Sequence, residues 1–409
     1  MKILSVSSLF PPHAFGGAEL SAASQSEWLV SQGHEVFVLG ASVAGQGDVS
    51  EQWRGVSVVR RNFPRPYPVH EFPNSPQWKK PLWHLQDSLD PRNPGIVGKV
   101  LDDIKPDAAL VHYVPGIGYN ALEALSSRDI PTVYYLHDLG LACTRMSMFR
   151  GGHDCGSQCL NCKVSSAYRL RRIAEFGRIG FVSPSRANLN RLQQLLPLGQ
   201  YPSTVIPNAN RYPAATVTPV APGSTLRVLY VGRLHAQKGV EVALEAVAAL
   251  VAAGCPIRMR VVGGGPTEAA LRERYEALPW CSFAGHVSAE EVSNEMVDAD
   301  VLVVPSVWLE NAPGVAIQAL GLGLPVIGSS IGGIPELVDE GRTGLLVEPG
   351  NVAAWTAALQ RLFDEPELLG SWREHTRARA PEYEQGALGR RHLAFMELVM
   401  RSRRDAHAA

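Results

Sequence analysis

Arg233 and Lys238 stand in Gly-Arg-Leu-His-Ala-Gln-Lys-Gly (232–239), a loop that leads into a helix. Two cations beside unpaired backbone donors can neutralise the charge that grows on a departing diphosphate without help from water. Two solvated loop cations would look the same in sequence. Further along, Glu310 sits in a polar loop, 305–313, between a buried strand and a short apolar helix. A carboxylate there stands at the crevice where α/β sheets bind ligands, or simply offsets the dipole of the helix that follows. His137 and Asp138 close the run Tyr-Tyr-Leu-His-Asp, where a lone histidine is often structural but a His-Asp pair at a strand end can serve a cleft. Cys143, Cys155, Cys159 and Cys162 offer four soft ligands at a spacing that suits a closed structural zinc site, and His153 could replace one of them. An iron–sulfur cluster, free thiols or a disulfide are the alternatives for the same four residues. Cys255 and Cys281 read as core residues.

These residues need elements to carry them. Val301 to Val304 is a β-branched apolar run ended by Pro305, as expected of a strand buried on both faces. Gly314 to Gly323 predicts a short helix bearing Gln318, and Pro325 to Gly328 a second strand, so the segment is a βαβ unit with Glu310 at the strands' carboxyl ends. Arg227–Val231, Arg258–Val262 and Ser282–Ala284 predict further strands, with helices over 240–253, 267–278 and 289–297. In the amino half, Lys2–Ser7, Glu35–Leu39, Ala108–His112 and Thr132–Leu136 read as strands, and 18–32 as a helix. Gly16 and Gly17 open that helix, where backbone N–H groups can approach a phosphate or a sugar hydroxyl. The stretch 62–95, rich in Pro, Trp and His, predicts an irregular excursion.

The predicted fold is α/β, two Rossmann-like doubly wound domains facing across a cleft. Residues 1–208 form the amino domain with a cysteine-rich insertion at 143–162, residues 209–226 a linker, and 227–387 the carboxyl domain; 388–409 is a helix free to pack back on the amino domain. Length supports two cores, since 409 residues exceed what one ordinary domain holds. A net charge of −1 gives no overall field for nucleic acid. The first strand follows Met1 directly, which predicts a cytoplasmic location.

The motifs at 232–239 and Val-Gly-Gly-Gly-Pro (262–266), with Glu310 and Gly-Leu-Pro-Val-Ile-Gly-Ser leading to Gly-Gly-Ile-Pro-Glu, resemble family 4 of the retaining, nucleotide-sugar-dependent glycosyltransferases. That family has the GT-B fold of two Rossmann-like domains. The resemblance implies that Arg233 and Lys238 hold the donor diphosphate and that Glu310 touches hydroxyls of the donor sugar. It implies that Gly16 and Gly17 close on that sugar and phosphate, and that His137 bonds a sugar hydroxyl near the reacting carbon. Gly263, Gly264, Asn311, Ala312, Gly314 and Val315 would line the donor site with backbone. The family's second glutamate, eight positions after the first, is Gln318 here, where the resemblance implies a ribose contact through a neutral amide. No catalytic metal or other cofactor is implied.

Residues 163–191 hold seven cations (Lys163, Arg169, Arg171, Arg172, Arg178, Arg186, Arg191) against Glu175, with Tyr168, Leu170, Ile173 and Phe176 interleaved. The stretch suits contact with anionic lipid at the inner face of a cell membrane, or a solvated helix face. The expected activity is sugar transfer from a nucleotide diphosphate sugar to a saccharide or lipid-linked acceptor, in surface polysaccharide or glycolipid assembly. A nucleotide-sugar epimerase and a non-catalytic carbohydrate- or nucleotide-binding module are the rival readings.

Overall fold

The computed structural model describes residues 1–13, 16–43, 45–150, 153–216 and 224–402. Sixteen strands occur among them: β1 Lys2–Ser7, β2 Glu35–Ala41, β3 Val49–Trp53, β4 Val56–Arg61, β5 Ala108–Tyr113, β6 Thr132–Tyr135, β7 Phe149–Arg150, β8 His153–Asp154, β9 Ile179–Ser183, β10 Ser203–Val205, β11 Leu226–Val231, β12 Ile257–Val262, β13 Cys281–Gly285, β14 Val301–Val304, β15 Val326–Ser329 and β16 Gly344–Val347. They build two large sheets, ordered β10-β9-β6-β5-β1-β2-β4-β3 and β13-β12-β11-β14-β15-β16. Every pairing in these two sheets is parallel except β3 with β4, and β7 and β8 pair antiparallel in a separate two-stranded sheet. In each sheet the chain runs outward one way and then restarts beside its first strand, at β1/β5 and at β11/β14. A crevice opens at the carboxyl ends of such a switch point, because the connections on its two sides leave in opposite directions.

The strands form where the sequence offers short β-branched runs closed by Gly or Pro. All four residues of β14 are buried, as are Val228 to Val231 of β11. Helices are stopped and started by local chemistry. Ser288 and Glu291 make a reciprocal capping box on helix Ala289–Asp298, and Ser185 Oγ accepts from Asn188 N–H at the start of helix Arg186–Leu195.

Helix Gln385–Arg401 crosses from the carboxyl half to the amino domain. Leu388, Met396 and Val399 join Ile3, Trp28, Val36, Tyr135 and Val182 in one buried cluster, each side chain contributing roughly 1.5–3 kcal/mol. The expected helix over 388–409 thus begins three residues earlier, and its residues 403–409 lie outside the described residues, as do 217–223 of the expected linker.

Three expectations need correction. The stretch 62–95 is not irregular throughout: it contains helix Lys80–Leu89, and helix Arg92–Ile104 begins within it. The four clustered cysteines do not gather as ligands, since among the described residues no three Cys, His, Asp or Glu converge as a metal site. Cys143 is buried with its sulfur accepting from Arg145 N–H, Cys162 turns into the core, and Cys159 stands exposed just before the helix Leu160–Ala174. The His153 side chain lies outside the described residues. Nor is 163–191 a free basic face. Ile173 and Phe176 are buried in the amino core, Arg172 pairs with Glu123 and Glu175, Arg178 pairs with Asp129, and Arg191 donates to the Cys155 carbonyl.

Candidate active site

The carboxyl ends of β11 and β14 hold one buried carboxylate. Glu310 is 6% exposed, and its Oε1 accepts from Lys238 Nζ at 2.6 Å, Ser306 Oγ at 2.7 Å and Trp308 Nε1 at 3.0 Å. None of these three bonds ends on Oε2. Lys238 reaches Glu310 because Gly239 follows it with φ +63, and a Cβ at that glycine would fall 2.0 Å from the Pro305 carbonyl oxygen. Only glycine lets the β11 loop lie against the end of β14.

Arg233 is exposed at the mouth of β11, with its carbonyl accepting from Tyr230 Oη. Gly263 and Gly264 pack on that same loop: Leu234 N–H donates to the Gly264 carbonyl, and a Cβ at Gly263 would strike the Gly232 carbonyl oxygen. Asn311, Ala312, Gly314 and Val315 are all partly exposed around the first turn of helix Gly314–Gly321, whose leading N–H groups have no partner within the helix. Gln318, one turn on, is buried, and its Nε2 donates to Ser293 Oγ at 3.0 Å. That bond uses one of the two Nε2 hydrogens and leaves the second N–H and the carbonyl oxygen out of it.

The amino domain faces this loop with the end of β6. The His137 ring does not point freely into the cleft. It lies almost parallel to His112 and Tyr135, and its Nε2 is 2.9 Å from His112 Nδ1, so one of the two imidazoles donates to the other. Burial is the first cause that pushes the His137 pKa down to about 3, with His392 adding to it, so the ring is neutral across the working pH range. Its Nδ1 has no partner of good geometry, and its backbone carbonyl accepts from Asn311 Nδ2 of the opposite domain at 2.6 Å. Asp138 is raised to about 6, first by burial; its Oδ1 accepts from Gly140 N–H at 2.6 Å, which acts the other way.

Gly16 precedes and Gly17 begins helix Gly17–Ser31, and Gly17 has open space where a Cβ would sit. One acid near them was not singled out by sequence. Glu19, in the first turn, is buried with Oε2 unpartnered, and burial raises its pKa. It lies close enough to Asp138 to raise that group as well. An acid right after a helix-opening glycine pair was the available signal. A cavity of about 940 Å³ lies elsewhere, lined by Arg227, Arg260, Glu295 and Asp298. Four of its charges pair off, Arg260 with Glu295 and Arg227 with Asp298, and it holds none of the residues above.

Two doubly wound parallel-sheet domains meeting over an Arg, Lys and Glu constellation define a class, and comparison with known proteins names it. Residues 225–365 match the model described as Glycosyl transferases group 1, and residues 15–209 match Glycosyltransferase Family 4. The chain belongs to this glycosyltransferase family and has its GT-B fold. It is 34% identical over 192 residues to the putative colanic acid biosynthesis glycosyltransferase WcaL of Salmonella typhimurium (strain LT2), a match spanning 44% of this chain and 47% of that relative. Sucrose-phosphate synthase from Thermosynechococcus elongatus superposes with a TM-score of 0.73 at 19% identity, covering 98% of this chain and all of the other. Anabaena HepE, solved with UDP-glucose, superposes with a TM-score of 0.65 at 17% identity over 97% of this chain and all of that one.

Proposed function

We propose that the protein moves a sugar from a nucleotide diphosphate sugar to an acceptor hydroxyl, with retention of configuration and without a catalytic metal. The observation that carries this reading is the Lys238–Glu310 pair beside Arg233 at the end of the carboxyl sheet, facing His137 across the cleft. Arg233 and Lys238 would neutralise the diphosphate as the bond from C1 to its oxygen breaks. Glu310 Oε2 would accept from a sugar hydroxyl and fix the ring. The acceptor oxygen would bond to C1 on the face the phosphate leaves, and its proton would pass to the departing phosphate oxygen. A neutral His137 suits this scheme, since it orients through hydrogen bonds and carries no charge of its own. The UDP-glucose held by HepE and the polysaccharide named for WcaL support a nucleotide-sugar donor and a surface-polysaccharide acceptor.

Nucleoside diphosphate released only when acceptor is present, with an α-donor giving an α-product by NMR, is the expected result. Release without acceptor, or an epimerised donor, refutes it. Thermal stabilisation across a panel of nucleotide sugars would identify the donor.

We also propose that the membrane contact is an exposed apolar patch that takes in only the first residues of 163–191. Trp78, Leu82, Leu85 and Leu89 are 53–75% exposed, and Leu160 and Val164 on helix Leu160–Ala174 add to them. Tyr168 Oη joins the two helices through the Ser88 carbonyl, and Lys79 and exposed Lys163 flank the patch. Among the described residues no helix is long and apolar enough to cross a membrane, so the contact would be peripheral. Sedimentation with anionic but not neutral vesicles, lost in Leu82→Glu/Leu85→Glu, tests it; equal binding by that variant refutes it.

A further inference from the structure

One carboxylate ties the two domains together beside the cleft. Glu336, on the short helix Ile334–Leu337 of the carboxyl domain, accepts from Arg186 N–H through Oε2 and from Ala187 N–H through Oε1, both at 2.7 Å. Those donors are the first two of helix Arg186–Leu195 in the amino domain, whose orphan N–H groups and positive dipole end favour an anion. The contact is linked to the site on both sides. Gly333 N–H donates to the Glu310 carbonyl at 2.7 Å, and a Cβ at Gly333 would overlap the Asn311 carbonyl oxygen and the Ser185 side chain. On the other side Asn188, in the same helix, donates through Nδ2 to the Leu136 carbonyl at 2.7 Å, while Asn311 holds the next carbonyl, that of His137.

We propose that Glu336 is an interdomain latch, a positioning residue that sets the Glu310–Asn311 loop in register with His137 by gripping helix Arg186–Leu195. This rests on the transfer reading above. Among the described residues the Glu336 carboxylate bonds to none of the Arg233, Lys238 and Glu310 side chains, so breaking the latch leaves the nucleotide subsite intact and misplaces the opposite wall. The expected signature is a fall in kcat with unchanged affinity for nucleoside diphosphate.

Glu336→Ala and Arg186→Pro test it from the two sides. Proline suits the first helical position, and Ser185 before it is already extended (φ −149, ψ 158), so Arg186→Pro removes one N–H donor while keeping the helix. Arg186→Ala keeps that N–H and is the control. Each latch variant should lower kcat about tenfold, the size expected from losing a charge-assisted hydrogen bond. The double variant should be little worse than either single one. Calorimetry should give wild-type nucleoside diphosphate affinity, and small-angle scattering of the ligand-free protein should show a larger radius of gyration. If Glu336→Ala fails to fold, Arg186→Pro decides the matter alone. Turnover of Arg186→Pro equal to that of Arg186→Ala, or an unchanged radius of gyration, overturns the latch. The scattering arm needs no turnover, so a failed transfer reading would be told apart by wild-type protein that scatters as expected and transfers nothing.

Discussion

Replacing Lys238 by Met should destabilise the carboxyl domain, and replacing Glu310 by Gln at the same time should restore much of the loss. Lys238→Met keeps the length of the side chain and removes the ammonium that lies 2.6 Å from Glu310 Oε1. The stranded carboxylate is 8% exposed in its side chain, so it gains little from solvent. Removing one partner of a fully buried pair costs about 3–5 kcal/mol. Here Lys238 is 30% exposed, and Ser306 and Trp308 still donate to Glu310, which lowers the expected cost to about 1–3 kcal/mol. For a domain of this size that is a fall in Tm of roughly 2–12 °C. In the double variant the amide keeps an acceptor for Ser306 and Trp308 and carries no charge, so the two single effects should not add. Urea unfolding of the four proteins, followed by tryptophan fluorescence, completes the cycle. A Lys238→Met variant as stable as wild type, or strictly additive effects, would show that the pair carries no structural coupling. Arg233→Met is the contrast: an exposed cation whose loss should lower kcat/KM by more than about tenfold and leave Tm unchanged.

Gln318→Ala should raise the KM for donor about two- to twelvefold with little change in kcat, and weaken nucleoside diphosphate binding in calorimetry, whereas Glu310→Gln should lower kcat; the reverse pattern would mean that sugar and ribose are assigned the wrong way round. Turnover should survive EDTA, and a loss that added Mg²⁺ restores would count against metal-free transfer. His392, pushed down to about 4 chiefly by burial, binds its proton in the unfolded chain first, so its contribution is intact above about pH 6.5 and is lost as pH falls toward 4, reaching about 3 kcal/mol. Asp87 and Asp138, raised to about 6 by burial, act in the opposite sense over the same window, gaining stability as they protonate. His392→Gln should therefore flatten the acid loss of stability between pH 6.5 and 4, and an unchanged slope in urea titrations would reject the assignment.

The carboxyl sheet was legible because its strands announce themselves: Val301–Val304 and Val228–Val231 are apolar runs cut off by Pro305 and Gly232, and the site residues sit just past those stops. Helix Lys80–Leu89 was not, because it turns Trp83 and Asp87 inward and leaves Leu82, Leu85 and Leu89 outside, the reverse of the usual apolar face. Partners far apart in sequence were also beyond reach. His112 takes a nitrogen of His137 from 25 positions away, Ser293 takes the Gln318 amide from 25, and Glu336 meets Ala187 across 149. Spacing says which side chains can do chemistry. It does not say which of their atoms are already spoken for.

Helix Gln385–Arg401 has a consequence for how the protein is made. A Cβ at Gly389 would fall 2.5 Å from the Trp28 ring, and one at Gly180 the same distance from Val399, so the helix is keyed into the amino domain at two glycine-shaped notches. On the ribosome, the amino domain emerges long before this helix is translated. Until then Trp28, Tyr135 and Val182 lack the apolar partners that cover them in the finished fold. The domain made first is thus the one sealed last, and its open seam persists through synthesis of the whole carboxyl sheet, an interval in which a chaperone or a second nascent chain can reach it.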